Sequence, residues 1–361
     1  MKKIVFNGQS LVNEKIYGVQ RHALSLLTAL DTMVKPGEVE LLVPPEGERA
    51  LHFDNIKVVE CGPSMKSRLP FGARLKEIWW RWHTFSRYTA DKGIVSVDTL
   101  LNYYARHIDV FCLHDCIPEL CPEASQTRRQ KLARQWVMFN NKRILRQVKL
   151  LFTVSETAKA DIQRIYHPKD LKIVILPNAW QHFEAIEEDR HILEKLHLEE
   201  GTFFFSLGSR FLHKNARWIL AAAKQNPQYR FVISGASILT EDREARENTL
   251  PNVTFAGYLS DGEVKALMHA CKAFIQPSLY EGFGIPPMEA MSTGADCIVS
   301  NASALPEVYG QSVWYIDPLN YTDIRMDDIM AQPKEPNDAI LQKYSWQKNA
   351  EIFLRALDEL R

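Results

Sequence analysis

Short runs rich in β-branched and aromatic residues alternate along this chain with stretches whose apolar residues recur every three to four positions. Lys3–Phe6 reads as a strand, and Val19–Leu30 as a helix on the spacing of Val19, Ala23, Leu26, Leu27 and Leu30. Further strands are predicted at Glu40–Val43, Ile56–Val59, Val110–Leu113, Leu150–Val154 and Ile173–Leu176. Ser155 stands where it would cap a helix that begins Glu156-Thr-Ala-Lys. Residues 181–200 are acidic, end at Gly201, and read as a linker. The pattern then restarts, with strands at Thr202–Leu207, Arg230–Ile233, Val253–Phe255, Ala273–Gln276 and Asp296–Val299, and a helix over Ala216–Lys224. One strand–helix grammar used twice predicts an α/β protein of two doubly wound, Rossmann-like domains facing each other across a central cleft. A length of 361 residues suits two such units. Ligands are then expected at the carboxyl ends of the strands.

Composition narrows the class. Apolar residues make up 46% and charged residues 24%, as in ordinary globular proteins. No stretch approaches the roughly 20 apolar residues of a spanning helix. The opening Met1-Lys-Lys-Ile-Val-Phe-Asn-Gly reads as a buried strand rather than a signal peptide, which points to the cytoplasm. The six cysteines form no secreted-type framework. Cys112, Cys116 and Cys121 bracket His114 in a C-x3-C-x4-C spacing that fits no common zinc pattern, so reduced thiols and no metal are expected. The net charge of zero hides an asymmetry. Residues 1–180 hold 27 Lys and Arg against 18 Asp and Glu, and the remainder 17 against 26, so the two parts stand at +9 and −9. A basic first half suggests an anionic partner: nucleic acid or an anionic membrane surface.

The chemistry concentrates in Ser278-Leu-Tyr-Glu281-Gly-Phe-Gly-Ile-Pro-Pro-Met-Glu289. A strand ends just before it, and Pro286-Pro287 suit the opening positions of a helix. Gly282 and Gly284 allow backbone N–H groups to approach a ligand closely. The positive end of the helix would favour a phosphate at the same place. Glu281 on the loop and Glu289, read as lying in the first helical turn, are natural acceptors for paired sugar or ribose hydroxyls. Two glutamates eight apart carry little weight alone; the whole string carries more.

With its neighbours, that string resembles the retaining glycosyltransferases of the GT-B fold, specifically their large fourth family. The resemblance rests on PSLYEGFGIPPMEAMSTG with its E-x7-E pair, NVTFAGYLSDGEVKALMHACKAFIQ before it and SNASALPEV after it. It extends upstream through LGSRFLHKN, FTVSETAKADI, LHDCIPEL and YGVQRHALSLLTAL. It implies an acceptor-side domain over 1–180, a donor-binding domain over 181–345, and a C-terminal helix (346–361) crossing back onto the first. It further implies that Glu281 and the backbone of Gly282, Phe283, Gly284 and Ile285 hold the donor sugar, and that Glu289 holds the nucleotide ribose. Lys214, six residues after Gly208, would contact the donor diphosphate. Arg210 would share that duty, although Ser209 stands where the family often has its arginine. His114 would contact the sugar near the reacting carbon; Asp115 beside it either orients the imidazole or caps the turn, the second being the simpler reading. Gly18 would lie in the loop nearest the donor phosphate, although Tyr17-Gly18 departs from the paired glycines common there. No Asp-x-Asp metal pair accompanies these residues, so the implied chemistry is metal-free, with a nucleotide-diphosphate sugar as co-substrate.

Arg74–Tyr88 interleaves bases with aromatics, as a helix at a membrane interface does, though a well-packed acceptor-side helix has the same pattern. With the basic first half it points to a glycan or lipid-linked acceptor and peripheral association with an anionic membrane. Other readings fit less of the chain. A dinucleotide-dependent oxidoreductase needs G-x-G-x-x-G after a strand, and neither Asn7-Gly8-Gln9 nor Gly208-Ser209-Arg210 supplies it. A nucleic-acid binder would leave the Glu281–Glu289 segment idle. An epimerase or phosphorylase on the same fold, or a non-catalytic nucleotide-sugar-binding protein, remains the alternative.

Overall fold

The structure is a computed structural model that describes all residues except 1–2, 15, 67–71, 92, 102, 123–126, 209–211, 236–249 and 361. Its strands form two sheets. The first contains β1 (Lys3–Asn7), β2 (Val39–Val43), β3 (Lys57–Glu60), β4 (Ile94–Asp98), β5 (Val110–Cys112), β6 (Leu150–Thr153) and β7 (Lys172–Ile175). They lie in the order β3-β2-β1-β4-β5-β6-β7, every neighbouring pair parallel. The second contains β8 (Phe203–Ser206), β9 (Arg230–Ser234), β10 (Val253–Gly257), β11 (Ala273–Gln276), β12 (Cys297–Ser300) and β13 (Trp314–Ile316), ordered β10-β9-β8-β11-β12-β13 and again parallel. Parallel strands need crossover helices on both faces, which is why β2, β6, β8, β11 and β12 are buried along their whole length.

Two strands, β4 and β13, were not apparent in the sequence. β4 interrupts its apolar run with Ser96 and Asp98, both fully buried, and β13 is three residues long. The reading of residues 181–200 as a linker is corrected. A short turn of helix, Gln181–Phe183, leads to the helix His191–Lys195, where Ile192 and Leu193 are buried in the core.

Strand order reverses direction between β1 and β4 in the first sheet and between β8 and β11 in the second. At such a switch point neighbouring loops leave in opposite directions and open a crevice. The loops after β8 and β11 carry Lys214 and Glu281; the loop after β1 leads to Gly18.

Several contacts join the two halves. Ser155 caps the Glu156–Tyr166 helix, accepting from Ala158 N at 3.0 Å, and its hydroxyl donates to Gly282 O at 2.7 Å. Glu307 accepts from the N–H groups of Glu156 (2.7 Å) and Thr157 (2.8 Å), neutralising orphan donors of the same helix. The final helix, Trp346–Asp358, packs on the Gly18–Asp31 helix, with Phe353 between Phe6 (5.4 Å) and Phe152 (5.1 Å).

Candidate functional site

The carboxyl ends of both sheets meet at a cavity of about 410 Å³, within the range of a small-molecule site. Its floor is the Glu281–Pro286 stretch, and Gly18, Arg21, His114 and Asn178 close it from the first half.

Glu281 is buried, with 6% of its surface exposed, yet remains an acceptor-only carboxylate among donors. Its Oε1 receives Lys214 Nζ (2.7 Å), Gln276 Nε2 (2.9 Å) and Ser278 Oγ (2.6 Å); Oε2 receives Lys214 alone, at 2.9 Å. Oε1 is thus saturated, and Oε2 keeps capacity for a ligand hydroxyl. Ser303 Oγ accepts from the Glu281 backbone N–H at 2.8 Å and fixes the loop from the other side.

The helix that follows is Ile285–Ser292, entered through Gly284 at φ +85°, a backbone conformation that favours glycine. Because the helix begins at Ile285, Glu289 falls in its second turn, correcting the first-turn placement. Pro286 and Pro287 carry no N–H, and Met288 N donates to Tyr309 Oη at 3.1 Å. The donor capacity of this helix start therefore rests with Ile285 and the loop before it.

Glu289 is held by residues far from it in the chain. Trp346 Nε1–H, which can only donate, points at His182 Nδ1 (3.3 Å). That fixes the tautomer: His182 Nε2 carries the proton and donates to Glu289 Oε1 at 2.8 Å. A residue from the supposed linker and one from the start of the C-terminal helix thus orient the second glutamate. Spacing alone gave no sign of either.

Gly282 has a role beyond backbone exposure. A Cβ there would lie 2.6 Å from His114 O and 2.7 Å from Asp115 Cβ, so the missing side chain lets the two halves touch. Gly208 does not line the cavity, though its neighbour Leu207 does; a Cβ on Gly208 would strike Ser234 O at 2.3 Å. Gly18 lines the cavity with open space over it. Ser209 and Arg210 lie outside the described residues. Among the described residues, the cations lining the cavity are Lys214 and Arg21, and Arg21 pairs with Asp261 of the other half at 2.8 Å.

His114 lines the cavity and donates Nε2–H to Thr99 O at 3.3 Å. Its ring meets His22 edge-on, centroids 4.7 Å apart, and His22 Nδ1 bonds Asn178 Oδ1 at 2.8 Å. Asp115 accepts from Ile117 N at 2.9 Å, the turn-capping role. Cys116 and Cys121 stay apart from this cluster; Cys112, His22 and His114 each place one ligand atom within 4.8 Å of the others. Burial lowers His22 from the ordinary 6.5 to about 3 and His114 to about 4, so both rings are neutral at physiological pH. Burial also raises Asp115 to about 6.

These shifts have a signed consequence. A histidine lowered in the folded state supports stability above pH 6.5 and withdraws that support as pH falls through its folded value, because the unfolded chain takes up the proton first. Asp115 opposes this, since its protonation near pH 6 relieves a buried charge. His22→Gln keeps a polar group beside Asn178 and removes the larger shift. Urea melts between pH 7 and 4 should therefore show a shallower acid loss for the variant, and an acid limb identical to wild type would contradict the assignment.

Residues 188–346 match the family model described as glycosyl transferases group 1. O-antigen chain mannosyltransferase B of Escherichia coli is 28% identical over 235 residues, 60% of this chain and 60% of that protein. The match thus spans under two thirds of that relative's length. O-antigen chain mannosyltransferase RfbU of Salmonella typhimurium is 23% identical over 83% of both chains. Among solved structures, sucrose-phosphate synthase from Thermosynechococcus elongatus superposes with a TM-score of 0.73 at 16% identity, covering 100% of this chain and 99% of that one. WaaG, a glycosyltransferase involved in lipopolysaccharide biosynthesis, gives 0.62 at 16% identity over 96% and 94%. The fold is GT-B, and residues 188–346 of the chain match the glycosyl transferases group 1 model.

Proposed function

We propose that the protein is a retaining glycosyltransferase. It moves a hexose or deoxyhexose from a nucleotide-diphosphate sugar to a hydroxyl of a glycan or lipid-linked glycan, in the assembly of bacterial cell-surface polysaccharide or lipopolysaccharide. The observation that carries this reading is the convergence of Lys214, Glu281, Glu289 and a helix start on one cavity. A nucleotide sugar offers a matching sequence of groups: hydroxyls, a diphosphate and a ribose. Relatives named for O-antigen mannosyl transfer favour a hexose.

In this reading residues 1–180 face the acceptor and 181–345 bind the donor. Glu281 Oε2 and the 282–285 backbone take sugar hydroxyls, and Glu289 takes the ribose. Lys214 faces the diphosphate, helped by Arg210 and by Arg21 once the latter leaves Asp261. His114 and Gly18 close over the sugar. The bond from the anomeric carbon to the diphosphate oxygen breaks while the acceptor oxygen bonds to the same face. The acceptor proton passes to the leaving phosphate oxygen, so no protein base is needed. The cations stabilise the charge that develops on the diphosphate, the task a metal performs elsewhere. The protein works in the cytoplasm at the inner face of the membrane; among the described residues no helix is long and apolar enough to cross one.

The test is turnover of a nucleotide-sugar panel with short α-mannosides as acceptors and EDTA present, products read by NMR. One donor should yield a glycoside of the donor's own anomeric configuration. An inverted product would refute retention, and a strict need for added divalent ion would refute the metal-free chemistry.

A further inference from the structure

One polar cluster in the wall of the cavity is left over by the donor reading. Cys112 ends β5, and the backbone stays paired one residue further, Leu113 N donating to Phe152 O at 2.9 Å. Residues two apart in an extended chain share a face, which puts Cys112 and His114 on the same side of the sheet. His22 reaches them from the Gly18–Asp31 helix, its ring edge-on to that of His114 at 4.7 Å and to that of Trp346 at 5.3 Å. One ligand atom from each of His22, Cys112 and His114 lies within 4.8 Å of the other two. Among the described residues no other His, Cys, Asp or Glu trio is gathered in this way. Cys116 and Cys121 take no part, so the cysteine spacing gave no sign of it.

Hydrogen bonds decide what each ring offers. Asn178 Oδ1 and Thr99 O can only accept, so His22 carries its proton on Nδ1 (2.8 Å) and His114 on Nε2 (3.3 Å). The neutral rings then keep bare lone pairs on His22 Nε2 and His114 Nδ1. His22 Nε2 is fully buried and, among the described residues, has no hydrogen-bond partner. A buried acceptor left unmatched is costly and calls for a reason. An imidazole whose N–H is tied to an oxygen while its other nitrogen stays free is the form in which histidine ligates metals. Two such rings and a thiol make a mixed nitrogen–sulfur set, which suits zinc rather than magnesium or calcium.

We propose that His22 Nε2, Cys112 Sγ and His114 Nδ1 bind a single zinc ion, and that the ion inhibits transfer by drawing His114 away from the donor sugar. The inhibition rests on the place given to His114 in the proposed function; the binding does not. Zinc–nitrogen distances of roughly 2.0–2.1 Å and a zinc–sulfur distance of roughly 2.3 Å set tetrahedral donor atoms about 3.3–3.6 Å apart, so the trio contracts by about 1 Å. The long bond to Thr99 O leaves His114 free to supply that movement. Because His114 lines the cavity, the ion enters from there and keeps its fourth position for water. As the zinc–sulfur bond forms, the thiol proton leaves to solvent, one per ion. The ion regulates the site and takes no part in the bond exchange of the transfer.

Cobalt(II) added to the reduced, full-length protein should give the visible bands of a tetrahedral site and a thiolate-to-cobalt charge-transfer band, saturating at one equivalent and lost when zinc displaces it. Cys112→Ala and His22→Gln should each weaken zinc binding, measured against a chromophoric chelator, by at least the roughly 10–100-fold that loss of an outer-shell partner costs. With EDTA present, both variants should keep the wild-type circular dichroism and the wild-type thermal protection by nucleotide sugar, which shows that they fold. One equivalent of zinc should slow wild-type turnover by roughly tenfold or more, reversibly with EDTA, and leave Cys112→Ala unaffected. Absence of the charge-transfer band, or unchanged zinc affinity in either variant, would overturn the site. Bound zinc that leaves wild-type turnover unchanged would overturn the inhibition. If no nucleotide sugar protects the EDTA-treated protein, the donor reading falls and the inhibition with it, while the cobalt spectrum still decides the site.

Discussion

Lys214→Met is expected to lower kcat/KM for transfer by roughly 10²–10³-fold, the loss typical when one preorganised group facing developing negative charge is removed. Lys214 is the cation bound directly to the carboxylate that floors the cavity, at 2.7 and 2.9 Å from its two oxygens. Its loss therefore acts twice: the diphosphate loses a counter-charge, and Glu281 keeps a buried negative charge with only Gln276 and Ser278 as donors. The second effect costs stability. Breaking a buried pair costs roughly 3–5 kcal/mol, and a lysine with 29% of its side chain exposed belongs at or below the low end of that range. The double variant Lys214→Met/Glu281→Gln separates the two effects. It should recover most of the lost thermal stability, because no uncompensated charge remains, and recover no activity. Melting temperature and steady-state kinetics on the three proteins decide it. Recovery of turnover in the double variant would mean that Lys214 serves only to neutralise Glu281.

Gly282→Val should reduce turnover by roughly 10²-fold, the scale expected when reacting groups are displaced by about 1 Å. The loss follows from the 2.6 Å approach of a Cβ to the His114 carbonyl, a backbone atom that cannot rotate away. The two halves must then separate or the Ser155–Gly282 hydrogen bond must break. Each sheet keeps the apolar cluster that is its own, around Trp80 and Phe111 in the first and Trp218 and Phe231 in the second, so the variant should still unfold cooperatively while its radius of gyration in solution scattering rises. Unchanged turnover would show that the contact between Gly282 and His114 is not part of the working enzyme.

The contrast between these residues explains how much of the molecule could be read in the chain. Buried parallel strands are continuous apolar runs, so most were legible, and the exceptions were those with polar or few residues, β4 and β13. The Glu281–Glu289 string was legible because its geometry is local: strand end, glycines, paired prolines and helix lie within a dozen residues. Lys214 could be placed only through the resemblance, since its partner lies 67 positions away. His182 and Trp346 could not be placed at all. Their contacts to Glu289 and to each other span 107 and 164 positions, and a histidine in an acidic stretch looks like surface. The stripe Leu132–Trp136–Phe139 shows the opposite limit: apolar residues at helical spacing read as core, and only the folded chain shows them facing outward.

The most direct test of the donor site is thermal unfolding of the wild-type protein and Glu289→Ala across a panel of nucleotide-diphosphate sugars and their free nucleotides. Ligand at about 100 times its dissociation constant stabilises the folded state by roughly 2.7 kcal/mol. At least one nucleotide sugar should raise the wild-type melting temperature by several degrees, with the shift largely lost in Glu289→Ala, whose melting temperature without ligand gives the baseline. If no nucleotide sugar shifts the wild type, or if the variant responds equally, the cavity between the two sheets is not the donor site described here.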